Sequence, residues 1–189
     1  MRKIAVILPG IGYHRDKPLL YYSAKLAQAE GYTLLYISYQ DMPQKIRGSA
    51  GMMRRAAELA CQQTAEQLRD AGLSCNDDIL LIGKSIGTIA AAQYAAAQAL
   101  PARQIRYTPL QAAFSYPVSP AGSCIAFLGE ADPWSDTGLL RQEAEMQHIP
   151  LYLYQGCNHS LECDDILRNI DNLCEVMQLT ADFIRADKK

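Results

Sequence analysis

Short apolar runs alternate along this chain with longer stretches of helical spacing, and that alternation restricts the fold more than any other feature. The runs are Lys3–Leu8, Tyr32–Tyr39 (YTLLYISY), Asp78–Gly83, Gln104–Thr108, Cys124–Leu128 and Pro150–Tyr154. Their lengths suit strands, and aliphatic and aromatic residues fill most of them. Segments 17–30, 50–71, 86–100, 136–148 and 161–185 instead read as helices, with leucine, methionine and alanine recurring at helical intervals in the second. Gly31, Gly72 and Pro101 stand where helices commonly stop. Arg106 makes Gln104–Thr108 the least strand-like of the six. Strands alternating with helices predict right-handed βαβ units and a parallel sheet covered on both faces. The expected architecture is one α/β domain over residues 1–189, a three-layer α/β/α sandwich around a six-stranded parallel sheet.

Composition narrows the function classes. With 49% hydrophobic and 20% charged residues, the chain is too apolar for disorder. A net charge of −2 offers no general attraction to nucleic acid or anionic membrane, and Arg54-Arg55 is too small a basic cluster to change that. The N-terminal apolar run, Ile4 to Leu8, is too short for a secretory signal, and no stretch approaches a membrane span. The six cysteines include no C-x-x-C pair, and Cys157 and Cys163 lack a second pair at zinc-site spacing. Reduced cysteines in a cytoplasmic protein, with neither metal nor cofactor, is the expectation.

In open parallel sheets ligands bind beyond the carboxyl ends of the strands, so the residues after each run carry the chemistry. The third run leads into Ile79–Thr88, ILLIGKSIGT, which admits two readings. A phosphate loop, G-x-x-x-x-G-K-[ST], needs a glycine five residues before Gly83, where Asp78 stands. Ile79 to Ile82 would also have to form a loop, although four apolar residues favour a strand. Both points exclude the phosphate loop. The alternative is G-x-S-x-G, Gly83 to Gly87, in the strand–turn–helix setting that presents a serine as nucleophile.

A serine hydroxyl needs a base, and the chain has three histidines, His14, His148 and His159. His148 reads as a solvated helix residue. His14 lies in the loop after the first strand, and His159 follows the last strand in YQGCNH. The carboxylate that would orient the base is Asp132 in LGEADPW, with Glu130 in reserve. Ser85, Asp132 and His159, each after its own strand, follow the serine–acid–histidine order of that architecture. The candidate oxyanion donors are the backbone amides of Ile86 and of Ile11 in the Gly10-Ile11-Gly12 turn. Tyr13, His14 and Trp134 are candidate pocket walls, as is Tyr116-Pro117, and Lys84 is expected to be solvated near the mouth.

These blocks, ILPGIG, IGKSIGT, FLGEADPW and QGCNHSLE, resemble those of the α/β-hydrolase superfamily, especially its small dienelactone-hydrolase-like members. The resemblance implies strand order 2-1-3-4-5-6 and a minimal α/β-hydrolase fold without a cap domain, since the connection from Thr108 to Ser123 is too short for one. An open, shallow site follows. It also implies a carboxylesterase-like hydrolase whose partner is a small-molecule ester or thioester. Two departures stand out. Ser85 occupies a position where dienelactone hydrolases proper carry cysteine, and Pro9-Gly10 stands where many lipases and esterases have His-Gly. An acyltransferase and a non-catalytic binding protein on the same fold are the alternatives.

Overall fold

Six segments form strands: β1 (Lys3–Leu8), β2 (Thr33–Tyr36), β3 (Asp78–Lys84), β4 (Arg103–Tyr107), β5 (Cys124–Gly129) and β6 (Leu151–Tyr154). Five helices intervene or follow: α1 (Pro18–Ala29), α2 (Ala50–Leu68), α3 (Ile86–Ala97), α4 (Thr137–Met146) and α5 (Ile166–Arg185). The computed structural model describes residues 1–44, 46, 48–118, 120 and 122–186. The strands form one sheet, ordered β2-β1-β3-β4-β5-β6, with every neighbouring pair parallel. This is the architecture and strand order expected from the sequence.

Strand alternation builds the two faces of the core. Ile79 and Leu81 of β3 pack with residues of α2 and α3, whereas Leu80 and Ile82 pack with residues of α1 and α5. On β5, Cys124, Ala126 and Leu128 turn to α4, and Ile125 and Phe127 join the α1–α5 side. All seven residues of β3 are buried, as a central strand of a doubly covered sheet requires. No helix is long and apolar enough to cross a membrane among the described residues. None of the six cysteines is paired in a disulfide.

Boundaries differ from the sequence expectation where side chains intercept the backbone. β2 ends at Tyr36 because Gln67 and Gln63 of α2 accept the N–H groups of Ser38 and Gln40, drawing the chain off the sheet. α5 begins at Ile166, not Leu161. Leu161 has a left-handed φ of 59°, and Asp165 caps the helix by accepting from Leu167 and Arg168 N–H. Arg106, the residue that argued against β4, lies fully buried in that strand. Its guanidinium donates twice to Gln104 on the same face and stacks 5.3 Å from the Phe114 ring.

Candidate active site

The turn from β3 into α3 forces Ser85 into φ 55°, ψ −120°, a region costing about 1–3 kcal/mol for a residue with a side chain. Its neighbours hold it there. Ser85 N–H donates to the Tyr107 carbonyl at 3.0 Å, and Thr88 Oγ1 donates to the Ser85 carbonyl at 2.6 Å. The flanking glycines are required by space. A Cβ on Gly83 would lie 2.8 Å from the Gly87 carbonyl oxygen, and one on Gly87 would collide with the carbonyls of Leu8 and Pro9. The G-x-S-x-G spacing is therefore a close approach of backbone to backbone, made possible by missing side chains.

The loop after β6 carries His159 back over the sheet edge. Glu130 N–H donates to Tyr154 O at 3.0 Å and Ala131 N–H to Cys157 O at 2.9 Å, stitching this loop to the turn after β5. Gly129 permits that stitch, because a Cβ there would run into the carbonyls of Cys157 and Asn158. Within the loop, Asn158 Oδ1 accepts Ser160 N–H at 2.7 Å. His159 Nδ1 lies 2.6 Å from Asp132 Oδ2, and Nε2 lies 2.8 Å from Ser85 Oγ. The tautomer that suits both contacts has Nδ1–H donating to the carboxylate and Nε2 accepting the Ser85 hydroxyl. Asp132 is fully buried at its side chain, and its Oδ1 accepts the Trp134 N–H at 2.9 Å.

Burial lowers the His159 pKa below its usual 6.5 and the nearby Lys84 charge adds to this, while the Asp132 hydrogen bond opposes it. Ser85 and His159 open into a small pocket of about 90 Å³ walled by Ile11, Met53, Ile86, Leu110 and Trp134. The Trp134 ring centroid lies 5.9 Å from that of His159. The Gly10–Tyr13 turn, closed by Gly10 N–H donating to Tyr13 O at 3.1 Å, puts Ile11 at this rim. Among the described residues, neither Ile11 N–H nor Ile86 N–H has an acceptor within the protein.

Other expected residues lie elsewhere. His14 is exposed, 3.5 Å from Asp16, and lines a neighbouring cleft of about 530 Å³ that shares Ile11 with the Ser85 pocket. Tyr13 faces the other side of the sheet, its hydroxyl accepting Leu19 N–H, and lines a separate cavity of about 260 Å³. His148 is exposed, and Glu130 lies 3.9 Å from Arg141 rather than beside His159. Tyr116 packs against the α2–α3 core, and Pro117 lines a distant cavity with Leu100 and Gln104.

Lys84 corrects the expectation of a solvated mouth residue, being 1% exposed. Alternation after Ile82 turns it inward, and its ammonium rests 5.0 Å over the Tyr13 ring. Met53 and Leu110 were not singled out, since apolar residues beside core patterns look like any other core position. Among the described residues no group of three or more His, Cys, Asp or Glu could hold a metal ion.

No protein-family model matches the sequence, and no curated protein matches it. Solved structures do match. One is a protein assigned to the α/β superfamily of hydrolases from Xanthomonas campestris pv. campestris, with TM-score 0.68, 17% identity, and coverage of 97% of this chain and 99% of that one. Another, also from Xanthomonas campestris, is described as an α/β serine hydrolase without a lid, with TM-score 0.57, 16% identity, and coverage of 98% and 84%. A carboxylesterase from Bacillus cereus aligns with TM-score 0.60 at 12% identity, covering 96% and 89%. With these neighbours and the parallel order 2-1-3-4-5-6, the chain has the α/β-hydrolase fold.

Proposed function

We propose that this protein is a serine hydrolase that cleaves a small carboxylic ester or thioester through an acyl-enzyme on Ser85. The observation that carries the reading is the continuous line from Asp132 through His159 to Ser85, with contacts of 2.6 and 2.8 Å. His159 takes the Ser85 proton as Oγ attacks the carbonyl carbon, forming a tetrahedral intermediate. The N–H groups of Ile11 and Ile86, which have no protein acceptor among the described residues, hold its oxyanion. Each such donor contributes about 3 kcal/mol to transition-state stability. Collapse expels the alcohol or thiol, protonated by His159, and a water activated by the same imidazole then releases the acid. Asp132 holds the imidazole in the required tautomer and stabilises its transient charge.

The experiment is active-site labelling with a fluorophosphonate, followed by mapping of the modified residue. Labelling of Ser85 is expected, and its absence, or a label elsewhere, defeats the mechanism. Ser85→Ala should lower turnover of an activated ester by about 10⁴-fold or more.

A further inference from the structure

Cys157 and Cys163 stand on either side of His159, at the two ends of the loop that presents it after β6. Hydrogen bonds bring those ends side by side. Asn158 N–H donates to Glu162 O at 2.8 Å, and Asn158 Oδ1 accepts Glu162 N–H at 3.4 Å. Each cysteine is the next residue outward from that pair, so backbone dimensions keep their Cα atoms within about 8 Å. The helix α5 gathers them further. Asn172 Nδ2 donates to Cys157 Sγ at 3.3 Å. Asn169 Oδ1 accepts Cys163 N–H at 2.7 Å, and its Nδ2 donates to Cys163 O at 2.8 Å. Asn169 and Asn172 are three residues apart on α5 and so share one face of it. Cys157 is buried, and Cys163 is half-buried against the same α1–α5 core. Burial pushes the Cys157 thiol up, and the neighbouring Cys163 thiol pushes it further. Neither cysteine enters the proposed chemical steps.

We propose that Cys157 and Cys163 form a thiol–disulfide exchange site for a low-molecular-weight disulfide such as oxidised glutathione, closing into a reversible bridge around His159. Cys163, the more accessible of the two, attacks as the thiolate. Its sulfur bonds to one sulfur of the reagent, the reagent's S–S bond breaks, and one thiolate leaves. Cys157 then loses its proton and attacks the Cys163 sulfur, displacing the second thiolate. Two cysteine thiols are oxidised by two electrons, the reagent is reduced to two thiols, and both protons end on those. A disulfide joins Cα atoms about 4.4–6.8 Å apart, a span that lies within reach of the paired loop ends. The main chain at each end has its own partners, since Cys157 O accepts Ala131 N–H and Asn169 holds Cys163. Closure costs the Cys163 thiol its 3.7 Å contact with the Asp165 carbonyl and leaves those main-chain bonds in place. The bridge goes beyond the hydrolase reading and does not rest on it.

The test uses the full chain with the exposed Cys75 and Cys174 replaced by serine, so that adducts there do not intrude. The folded protein is incubated with oxidised glutathione, then alkylated in urea and digested with trypsin. Cleavage after Arg141 and Arg168 leaves both cysteines in one peptide, 142–168. That peptide should be unalkylated and about 2 Da lighter than its dithiol form, and dithiothreitol should restore it. Cys157→Ser should instead accumulate glutathione on Cys163, and Cys163→Ser should leave the buried Cys157 free to be alkylated. A peptide alkylated at both cysteines, or glutathione retained on Cys163 beside an intact Cys157, overturns the proposal. If Cys157→Ser does not fold, the protein that keeps both cysteines decides. Urea unfolding gives a second reading. The bridged form should unfold at a higher urea concentration than the dithiol, because the ring restricts the unfolded chain. A bridged form less stable than the dithiol would show that the folded loop does not accommodate the bridge.

Discussion

Replacing Lys84 with methionine should stabilise the protein at neutral pH, by an amount that shrinks as the pH rises. Burial lowers the ammonium's pKa from 10.5 to about 7, opposed by the charges of Asp132 and Glu162. Each pH unit of that difference corresponds to about 1.4 kcal/mol. The charged side chain therefore costs the fold roughly 5 kcal/mol below pH 7. The sign follows from proton counting. Between about pH 7 and 10.5 the unfolded chain holds the Lys84 proton and the folded protein does not, so the wild type gains stability as the pH rises. The penalty is complete below that window and absent above it. Lys84→Met has no such proton to lose, and it keeps a flexible chain of similar volume. Its advantage should be constant and greatest below about pH 7 and decline by about 1.4 kcal/mol per pH unit above that. Urea unfolding at a series of pH values, read from the fluorescence of the single tryptophan, Trp134, measures both proteins under identical conditions. Titrations common to both, such as those of Cys61 and Cys124, cancel in the difference. A gap that does not change with pH, or a variant less stable throughout, refutes the reasoning.

Asp132→Asn should leave the fold intact and lower kcat on an activated ester by about 10⁴-fold, since the amide favours the wrong histidine tautomer. Steady-state kinetics showing a loss below tenfold would remove Asp132 from its proposed role. The pocket of about 90 Å³ beside Ser85 holds about three water-sized groups. Esters with acyl chains of about two to four carbons should therefore show the highest kcat/KM, and Trp134→Ala should extend the range. Preference for octanoate in wild type contradicts this assignment of the pocket. Gly129→Ala should cost about 1–3 kcal/mol in thermal or urea unfolding and depress activity as well, because its Cβ displaces the loop that presents His159. A fully active, equally stable variant would show that the loop can give way.

Much of this was legible from the residue order, for identifiable reasons. The sheet could be read because parallel strands buried on both faces demand apolar runs, and β3 supplies one in Ile79–Ile82. The turn at Ser85 could be read because a buried apolar strand runs into Gly83 and an alanine-rich helix follows, the setting in which G-x-S-x-G presents a serine. β4 was the weakest strand because what shelters Arg106 is Phe114, a residue beyond the strand that comes near only in the folded chain. Lys84 was misplaced for the opposite reason. It alternates with Leu80 and Ile82, but lysine's usual preference for water argues against burial, and the cover supplied by the Tyr13 ring is a tertiary fact. His14 and His159 were both plausible bases in the sequence. Only distance separates them, with His159 at 2.8 Å from Ser85 and His14 turned out to the neighbouring cleft. The start of α5 lies five residues beyond the expected one because the Asp165 side chain, accepting from Leu167 and Arg168 N–H, sets where the helix begins.

The close approaches at Gly83, Gly87 and Gly129 bring main chain against main chain at the turn that carries Ser85 and at the loop that carries His159. Ser85 is located by contacts among carbonyls of β1 and the first turn of α3, and the His159 loop by carbonyls against β5. Met53, Leu110 and Trp134 line the pocket without taking part in those junctions. The frame and the lining are thus separable. Substitution can reshape the pocket walls while Ser85 and His159 keep their spacing, so the shape of the pocket and the distance between the two side chains can change one without the other.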